Sequence, residues 1–346
     1  MSTATLQKAH SAIVSNGVGY ADDLFGFPRF PAEVREAARF PIKSGAAHLD
    51  YVPEKDTAYV FRKAHLKVLQ VWMTGGQKNV LLQGETGTGK TTIIEQVAAR
   101  LNWPVFALGC HGGLEFQELV GRVTLQPDGS TGWADGPLIA AMRIGGIFLL
   151  DEMNFLKPEV AGGLNTILQA KVYTIPETGE AVRAHPDFRI GATGNAIDGG
   201  GKSSYRGTQV SNIALLARFN LGIRIQYMSP EDEQKMMEAK APRIQASVAN
   251  FLAQMADMAR KSYATGVLKA PLSPRETIAM AMQLQNYSGS AKGAQAVDAQ
   301  SKAIKEVMEM TFMFRWSMDD NNELLSAAKK VAQRLGMTAI EDALKD

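Results

Sequence analysis

Cysteine and long apolar runs are nearly absent from this sequence. Cys110 is the only cysteine, which excludes a disulfide within the chain and a zinc site built on several cysteines. No apolar stretch approaches the ~20 residues needed to span a bilayer. The N-terminus also lacks the basic region and apolar stretch of a secretory signal. We therefore expect a cytoplasmic protein that does not enter a membrane.

An excess of charge of either sign is also missing. The chain has 37 basic and 35 acidic residues, for a net charge of +2. This balance creates no field that would favour nucleic acid or an anionic membrane as a partner. With 346 residues and a hydrophobic fraction of 45%, the chain is long and apolar enough for two or three packed units.

A phosphate-binding pattern directly follows an apolar run at residues 79–83. Gly84, Gly89, Lys90 and Thr91 fit the P-loop pattern G-x-x-x-x-G-K-[ST]. Apolar residues at helical spacing come next, so the order is strand, loop and helix, which places backbone N–H groups at an anion. We expect Lys90 to reach the outer phosphates of ATP and the Thr91 hydroxyl to ligate Mg²⁺. The predicted nucleotide-binding segment consists of Gly84, Glu85, Thr86, Gly87, Thr88, Gly89, Lys90, Thr91 and Thr92.

Polar side chains also end two later apolar runs. Asp151 and Glu152 follow Ile147-Phe148-Leu149-Leu150, and Asn195 follows the run that begins at Phe188. In P-loop hydrolases, an acid at such a strand end holds Mg²⁺. We assign this role to Asp151 and predict that Glu152 polarises the attacking water. Asn195 either orients that water or simply forms a turn after Gly194.

The apolar runs predict an α/β fold. Five strands are expected at 80–83, 104–108, 147–151, 188–193 and 221–227. Because helical patterns separate most of them, they predict a parallel, doubly wound sheet in a P-loop domain spanning 59–230. Turn residues within 115–137 indicate a loop or hairpin insertion, and alternation within 171–186 indicates a β-hairpin.

The two ends of the chain differ from this central part. Prolines interrupt any long helix in residues 1–58, and four phenylalanines there indicate packing. This segment is either a small module that packs on a neighbour or a lid on the chain's own core. Residues 231–346 have helical spacing and predict an α-helical lid domain, whose many methionines we interpret as core filler.

One helix start in that lid carries a cation in an unusual place. Ser273, Pro274 and Glu276 form an N-cap, a first-turn proline and a capping box. Arg275 between them opposes the helix dipole. This placement makes sense if Arg275 contacts a nucleotide phosphate, although an exposed arginine without a ligand is the alternative.

Together these residues resemble a known family. The P-loop, Leu149-Leu150-Asp151-Glu152, Asn195, Arg218 before Phe219, and Ser273-Pro274-Arg275 resemble the AAA+ ATPases and, within them, the MoxR group. The insertions at 115–137 and 171–186 look like that group's additional elements. Further stretches are similar to the ATPase subunits of aerobic cobaltochelatase, over roughly residues 20–335. They include 52–54, 95–104, 185–189 and 207–209.

The resemblance implies a homo-oligomeric ring, commonly a hexamer, that hydrolyses ATP with Mg²⁺ and remodels or activates a partner. It implies that Arg218 is an arginine finger that acts in the ATP site of a neighbouring subunit. Arg206 would be a second cation near the interface between the two subunits. It also implies a partner with a von Willebrand-type domain (CobT-like) and a separate large subunit that inserts Co²⁺ into a corrinoid. Arg206 stands where the chelatase subunits would have a histidine. A CobS-like paralogue with another client therefore remains open, as does a nucleic-acid-stimulated AAA+ motor.

Overall fold

The computed structural model describes residues 17–44, 49–195 and 213–345. These residues form two compact units. The α/β unit contains the described residues up to Ile225, except 58–60 and 86–88. The helical unit contains those two short segments and the described residues from Gln226 onward.

The strands of the described residues are short. In chain order they are β1 (Gly17–Tyr20), β2 (Arg39–Ile42), β3 (Asn79–Gly84), β4 (Val105–Gly109), β5 (Gly121–Leu125), β6 (Thr131–Asp135), β7 (Ile147–Asp151), β8 (Val172–Thr174), β9 (Ala181–Arg183), β10 (Arg189–Gly194) and β11 (Leu221–Ile225).

The helices of the α/β unit lie between these strands. They are α1 (Ala21–Phe25), α2 (Ala32–Ala37), α3 (Lys63–Thr74), α4 (Lys90–Leu101), α5 (Phe116–Val120), α6 (Pro137–Ile144), α7 (Pro158–Ala170) and α8 (Ile213–Leu216). Short 3₁₀ turns occur at Leu49–Tyr51 and Met153–Phe155. Helix α8 is described from Ile213 onward, and residues 196–212 lie outside the described part.

Five parallel strands form the central sheet in the order β11-β3-β10-β7-β4. The predicted five-stranded parallel α/β fold is thereby confirmed. Ile147, Phe148, Leu149 and Leu150 of β7 are all fully buried, as expected for a strand covered on both faces of a parallel sheet. Since β3, β10 and β7 are neighbours, their carboxyl ends meet at one edge of the sheet.

Two antiparallel hairpins extend the α/β unit, and both lie within the predicted insertions. β5 pairs with β6, and β8 pairs with β9. Arg143 of α6 lies between them. Its Nε donates to Asp135 Oδ2 of β6 at 2.7 Å, and its Nη2 donates to Glu180 Oε2, beside β9, at 2.7 Å. One guanidinium therefore ties both hairpins to the same helix.

The described N-terminal residues pack on this chain's own sheet unit. β1 and β2 form a two-stranded antiparallel sheet, and the short elements fit between the prolines that forbid a longer helix. Lys43 binds Asp187 with Nζ 3.1 Å from Oδ2, and Trp103 Nε1 donates to Pro41 O at 3.2 Å. These contacts agree with the alternative of a lid on the chain's own core, and whether residues 1–58 form a separate domain stays a prediction.

The helical unit consists of α9 (Pro230–Lys240), α10 (Ala246–Ala264), α11 (Pro274–Tyr287), α12 (Ala294–Lys302), α13 (Ile304–Thr311), α14 (Met318–Leu335) and α15 (Thr338–Ala343). A further 3₁₀ turn lies at Met313–Arg315. Several methionines are fully buried in its core, including Met237, Met255, Met280 and Met308, which agrees with their interpretation as core filler. None of the helices in the described ranges is long and apolar enough to cross a bilayer.

A buried arginine anchors the end of α3 to the sheet. Arg189, at the start of β10, is 5% exposed. Its guanidinium donates to the carbonyls of Trp72 and Met73 at 2.7 and 2.8 Å and to those of Pro186 and Phe188 at 3.2 Å each. The first two carbonyls belong to the last turn of α3, where a cation is favourable because the helix dipole is negative.

We expect Arg189→Met to lower the free energy of unfolding of the α/β unit by about 2–4 kcal/mol, because buried carbonyls lose a charged donor. The measurement is urea unfolding followed by tryptophan fluorescence, to which the buried Trp72 and Trp103 contribute. The matched control is Arg183→Met on the exposed face of β9, which should leave the midpoint nearly unchanged. Equal midpoints for the two variants would contradict the anchoring role.

Candidate functional site

The P-loop begins at the last residue of β3 and ends where α4 starts. Gly89 immediately precedes α4 with φ +87°, a left-handed conformation that glycine adopts without strain. Behind it, α4 buries Ile93, Ile94 and Val97 against the sheet. The sequence thus places backbone N–H groups and the positive end of a helix at one edge of the sheet, which is the requirement for binding phosphate.

Lys90 is the first residue of α4 and is 9% exposed. Its ammonium donates to Gly84 O at 3.0 Å, to Glu85 O at 2.9 Å and to Asn195 Oδ1 at 3.4 Å. Burial lowers the pKa of Lys90 below its ordinary value, and the nearby carboxylates of Asp151 and Glu152 oppose that shift. The structure therefore brings the P-loop lysine together with the polar ends of β7 and β10.

Asp151 receives two short hydrogen bonds on the same oxygen. The hydroxyls of Thr91 and Thr193 each donate to Asp151 Oδ1 at 2.6 Å. Thr193 Oγ1 also accepts a bond from the N–H of Glu152 at 2.9 Å. Residues from α4, β7 and β10 are thus held at one point, next to Lys90.

These oxygens suit Mg²⁺. In nucleotide sites this ion is held by one or two carboxylates together with the phosphates of the substrate. The Thr91 hydroxyl and the Asp151 carboxylate provide such oxygens 2.6 Å apart. Within the described ranges, no group of three or more His, Cys, Asp or Glu side chains could hold a metal ion. The pair of oxygens from Thr91 and Asp151 fits an ion whose remaining ligands come from the phosphates of a nucleotide.

Glu152 follows Asp151 but has a different environment. Its φ is +58°, which is unusual for a residue other than glycine, and its side chain is exposed. The left-handed conformation turns the chain sharply after β7. As a result, the two adjacent acids have separate environments, one within the hydroxyl network and one facing solvent.

Sequence reasoning missed three residues around this edge. Thr193 and Asn154 make hydrogen bonds at the strand ends. Glu95 of α4 is partly buried, and this burial, with repulsion from Asp151, raises its pKa. Burial, with repulsion from the nearby acids, also raises the pKa of Cys110 to about 12, so this thiol stays protonated at neutral pH. Only Thr193 has a visible signal, since it precedes Gly194 at the end of an apolar run.

Arg218 does not join this cluster within the chain. Its carbonyl accepts a bond from Asn79 Nδ2 at 2.9 Å, which places it at the first residue of β3, whereas the P-loop starts at the last. A strand of six residues spans roughly 16 Å at its usual rise. The guanidinium instead donates to Gln169 Oε1 of α7 at 2.9 Å. Arg206, the other predicted cation, lies outside the described residues.

Arg275 and the tip of the P-loop belong to the helical unit. Ser273 and Glu276 form the expected capping box, Pro274 occupies the first turn of α11, and Arg275 is exposed. Gly87 has φ +77°, and a Cβ added there would lie 2.4 Å from Ser273 Cβ. The backbone carbonyl of Thr86, which precedes Gly87, accepts a hydrogen bond from the Tyr227 hydroxyl at 2.9 Å. Glycine at position 87 is therefore required by conformation and by space.

Comparison with known proteins agrees with the P-loop α/β fold described above. Residues 79–219 match the family described as AAA domain (dynein-related subfamily). The aerobic cobaltochelatase subunit CobS of Sinorhizobium sp is 31% identical over 67% of this chain and 72% of that protein.

Two further relatives align over shorter stretches. Protein NorQ of Paracoccus denitrificans is 36% identical over 42% of this chain and 50% of its own length. The denitrification regulatory protein NirQ of Stutzerimonas stutzeri is 32% identical over 56% of this chain and 66% of its own length. With the parallel sheet and the P-loop edge described above, these similarities show that the chain belongs to the MoxR-type AAA+ ATPases and is related to CobS.

Proposed function

We propose that this protein hydrolyses ATP with Mg²⁺ as one subunit of a ring and uses the energy to remodel or activate a partner protein. The observation that carries the proposal is the cluster at the edge of the sheet. There, Lys90 donates to Asn195 at 3.4 Å, and the adjacent Thr91 donates to Asp151 at 2.6 Å. Binding groups and candidate catalytic groups are therefore already close together.

Each residue of the cluster has a distinct role in this proposal. The Lys90 ammonium exchanges its carbonyl partners for the outer phosphates, and the P-loop N–H groups bind the remaining phosphate oxygens. Thr91 and Asp151 hold Mg²⁺, which neutralises charge on the phosphates when bound. Glu152, which is exposed and adjacent to Asp151, takes a proton from the attacking water, and the Asn195 amide orients that water.

The position of Arg218 supports a ring. A guanidinium near the amino end of β3 cannot reach its own P-loop at the carboxyl end, but it can serve the site of a neighbouring copy. Head-to-tail contacts of this kind close into rings, and we propose a hexamer. Arg206 is the second cation proposed near that interface, and Arg275 is proposed to contact the nucleotide from the helical unit of its own subunit.

The relationship to CobS supports a partner of the cobaltochelatase type. In that version a von Willebrand-type protein (CobT-like) joins the ring, and the insertion of Co²⁺ into a corrinoid takes place on a separate large subunit. The similarities to NorQ and NirQ support a second version, in which a CobS-like ring activates a different client. Purification of Glu152→Gln with ATP, followed by identification of the co-purifying protein, distinguishes the two versions.

We expect Glu152→Gln to lower the turnover number of Mg-ATPase activity by about 10²–10⁴-fold, because an amide cannot accept the proton from water. ATP affinity should stay within about threefold, since the binding residues are unchanged, whereas Lys90→Ala should abolish detectable binding. Steady-state turnover and isothermal titration with ATP measure the two effects. The control is Glu159→Gln at the exposed start of α7, which should have normal activity.

Wild-type turnover by Glu152→Gln would show that another group acts as the base. Strong stimulation of the wild-type ATPase by DNA, with a steep dependence on salt, would favour a nucleic-acid motor instead.

We expect Arg218→Ala to lower turnover by about 10³-fold or more, as is typical for loss of an arginine finger. Because the finger acts on a neighbour, mixing Arg218→Ala with Glu152→Gln subunits should restore activity above that of either variant alone. The measurement is ATPase activity across a series of mixing ratios. Arg183→Ala is the control for loss of an exposed cation and should keep full activity. An unchanged rate for Arg218→Ala, or monomers that turn over at full speed, would contradict a role across subunits.

A further inference from the structure

Asn154 connects the two strand ends that carry the proposed catalytic groups. It is the middle residue of the 3₁₀ turn Met153–Phe155, which directly follows Glu152, and it is 7% exposed. Its Oδ1 accepts a hydrogen bond from the backbone N–H of Asn195 at 3.3 Å. A single side chain therefore links the turn after β7 to the end of β10.

The orientation of this amide follows from its partner. A backbone N–H can only donate, so the oxygen of Asn154 must face Asn195 and the nitrogen must point elsewhere. That nitrogen, Nδ2, is buried and makes no hydrogen bond within the described ranges. Buried donors are nearly always paired, and an unpaired one is unfavourable. An apolar residue would fill this place without that cost, so the presence of asparagine here requires a reason.

The backbone at Glu152 explains how Asn154 reaches its partner. The positive φ of Glu152 ends β7 abruptly and starts the 3₁₀ turn, which brings Asn154 back to the neighbouring strand. The added Cβ of a residue replacing Gly194 would meet Asn154 Oδ1 at 3.7 Å, so the amide lies directly against this backbone. Strained backbone conformations of this kind often occur at functional sites.

We propose that Asn154 is a positioning residue for ATP hydrolysis. Its oxygen fixes the backbone of Asn195, and thereby fixes where the Asn195 amide stands relative to the turn that carries Glu152. Asn195 Oδ1 in turn accepts from Lys90 at 3.4 Å, so the amide that Asn154 positions lies beside the P-loop lysine, which Gly84 O and Glu85 O hold independently. The inference rests on the proposed hydrolysis at this site and adds a residue that acts only through Asn195.

We expect Asn154→Ala to lower kcat for ATP by about 10–100-fold, because small displacements of a positioned group have large effects on rate. The KM and the affinity for ATP should stay within about threefold, since Asn154 lies beside the phosphate-binding residues and is not among them. The unfolding midpoint should fall only modestly, because removal of the unpaired Nδ2 offsets part of the cost of leaving the buried N–H of Asn195 without its acceptor.

A double-mutant cycle with Asn195→Ala separates positioning from general support of the fold. If Asn154 acts through Asn195, the double variant should turn over within about twofold of Asn195→Ala alone, because coupled residues are not additive. A product of the two single effects would overturn the inference. So would a wild-type kcat in either single variant, and that result would leave ATP hydrolysis, tested separately by Glu152→Gln, in place.

Asn321→Ala is the matched control. Asn321 of the helical unit also has one amide atom bound to a backbone group, with Nδ2 donating to Met313 O at 3.0 Å. Its Oδ1 is buried without a partner within the described ranges. It therefore shares the chemistry of Asn154 but not its place at the strand ends. A kcat of Asn321→Ala within about twofold of wild type is expected for a residue outside any coupled network, and an equal loss in both variants would overturn the inference.

Discussion

The two hydroxyl bonds to Asp151 Oδ1 hold the nucleotide-binding edge of this protein together. Thr91 comes from α4, Thr193 from β10 and Asp151 from β7, so one carboxylate oxygen joins a helix and two strands. Hydrogen bonds to a charged group contribute about 1.5–3 kcal/mol each, more than those between neutral groups. Because Lys90 immediately precedes Thr91, fixing the threonine also fixes the lysine. The positions of the P-loop, Asp151 and Asn195 thus depend on one another.

At the same edge, one residue has a backbone conformation that its residue type disfavours. Glu152 adopts a left-handed conformation without being glycine, at a cost of order 1–3 kcal/mol. The result is that two consecutive carboxylates do not share an environment. Asp151 lies within the hydroxyl network, whereas Glu152 faces solvent. A regular continuation of β7 would place successive side chains on opposite faces of a buried sheet, and neither acid would then be available to a nucleotide in this way.

The sequence predicts the sheet well because each strand carries its own signal. Apolar runs ending in Gly84, Asp151 and Asn195 indicate buried parallel strands, and parallel strands place those ends at one edge. Asn154 carries no such signal, since its contact with Asn195 depends on a turn that only the unusual Glu152 conformation creates. The position of Arg218 far from its own P-loop depends on the order of the strands, which no local pattern records. Likewise, prolines and aromatic residues indicate that the N-terminal segment packs, but not that it packs on this α/β unit.

The guanidinium of Arg143 has a mechanical consequence for the two hairpins of the α/β unit. Because it binds Asp135 of one hairpin and Glu180 beside the other, a load applied to either hairpin is transmitted through α6 to its counterpart. Glu180 is 49% exposed, whereas Asp135 is only 13% exposed. Dissolved ions screen exposed charges far more than buried ones, so rising ionic strength releases the Glu180 side first. Higher salt therefore weakens the attachment of the second hairpin to Arg143 more than that of the first, while its buried residues Ile175 and Val182 stay packed in the core.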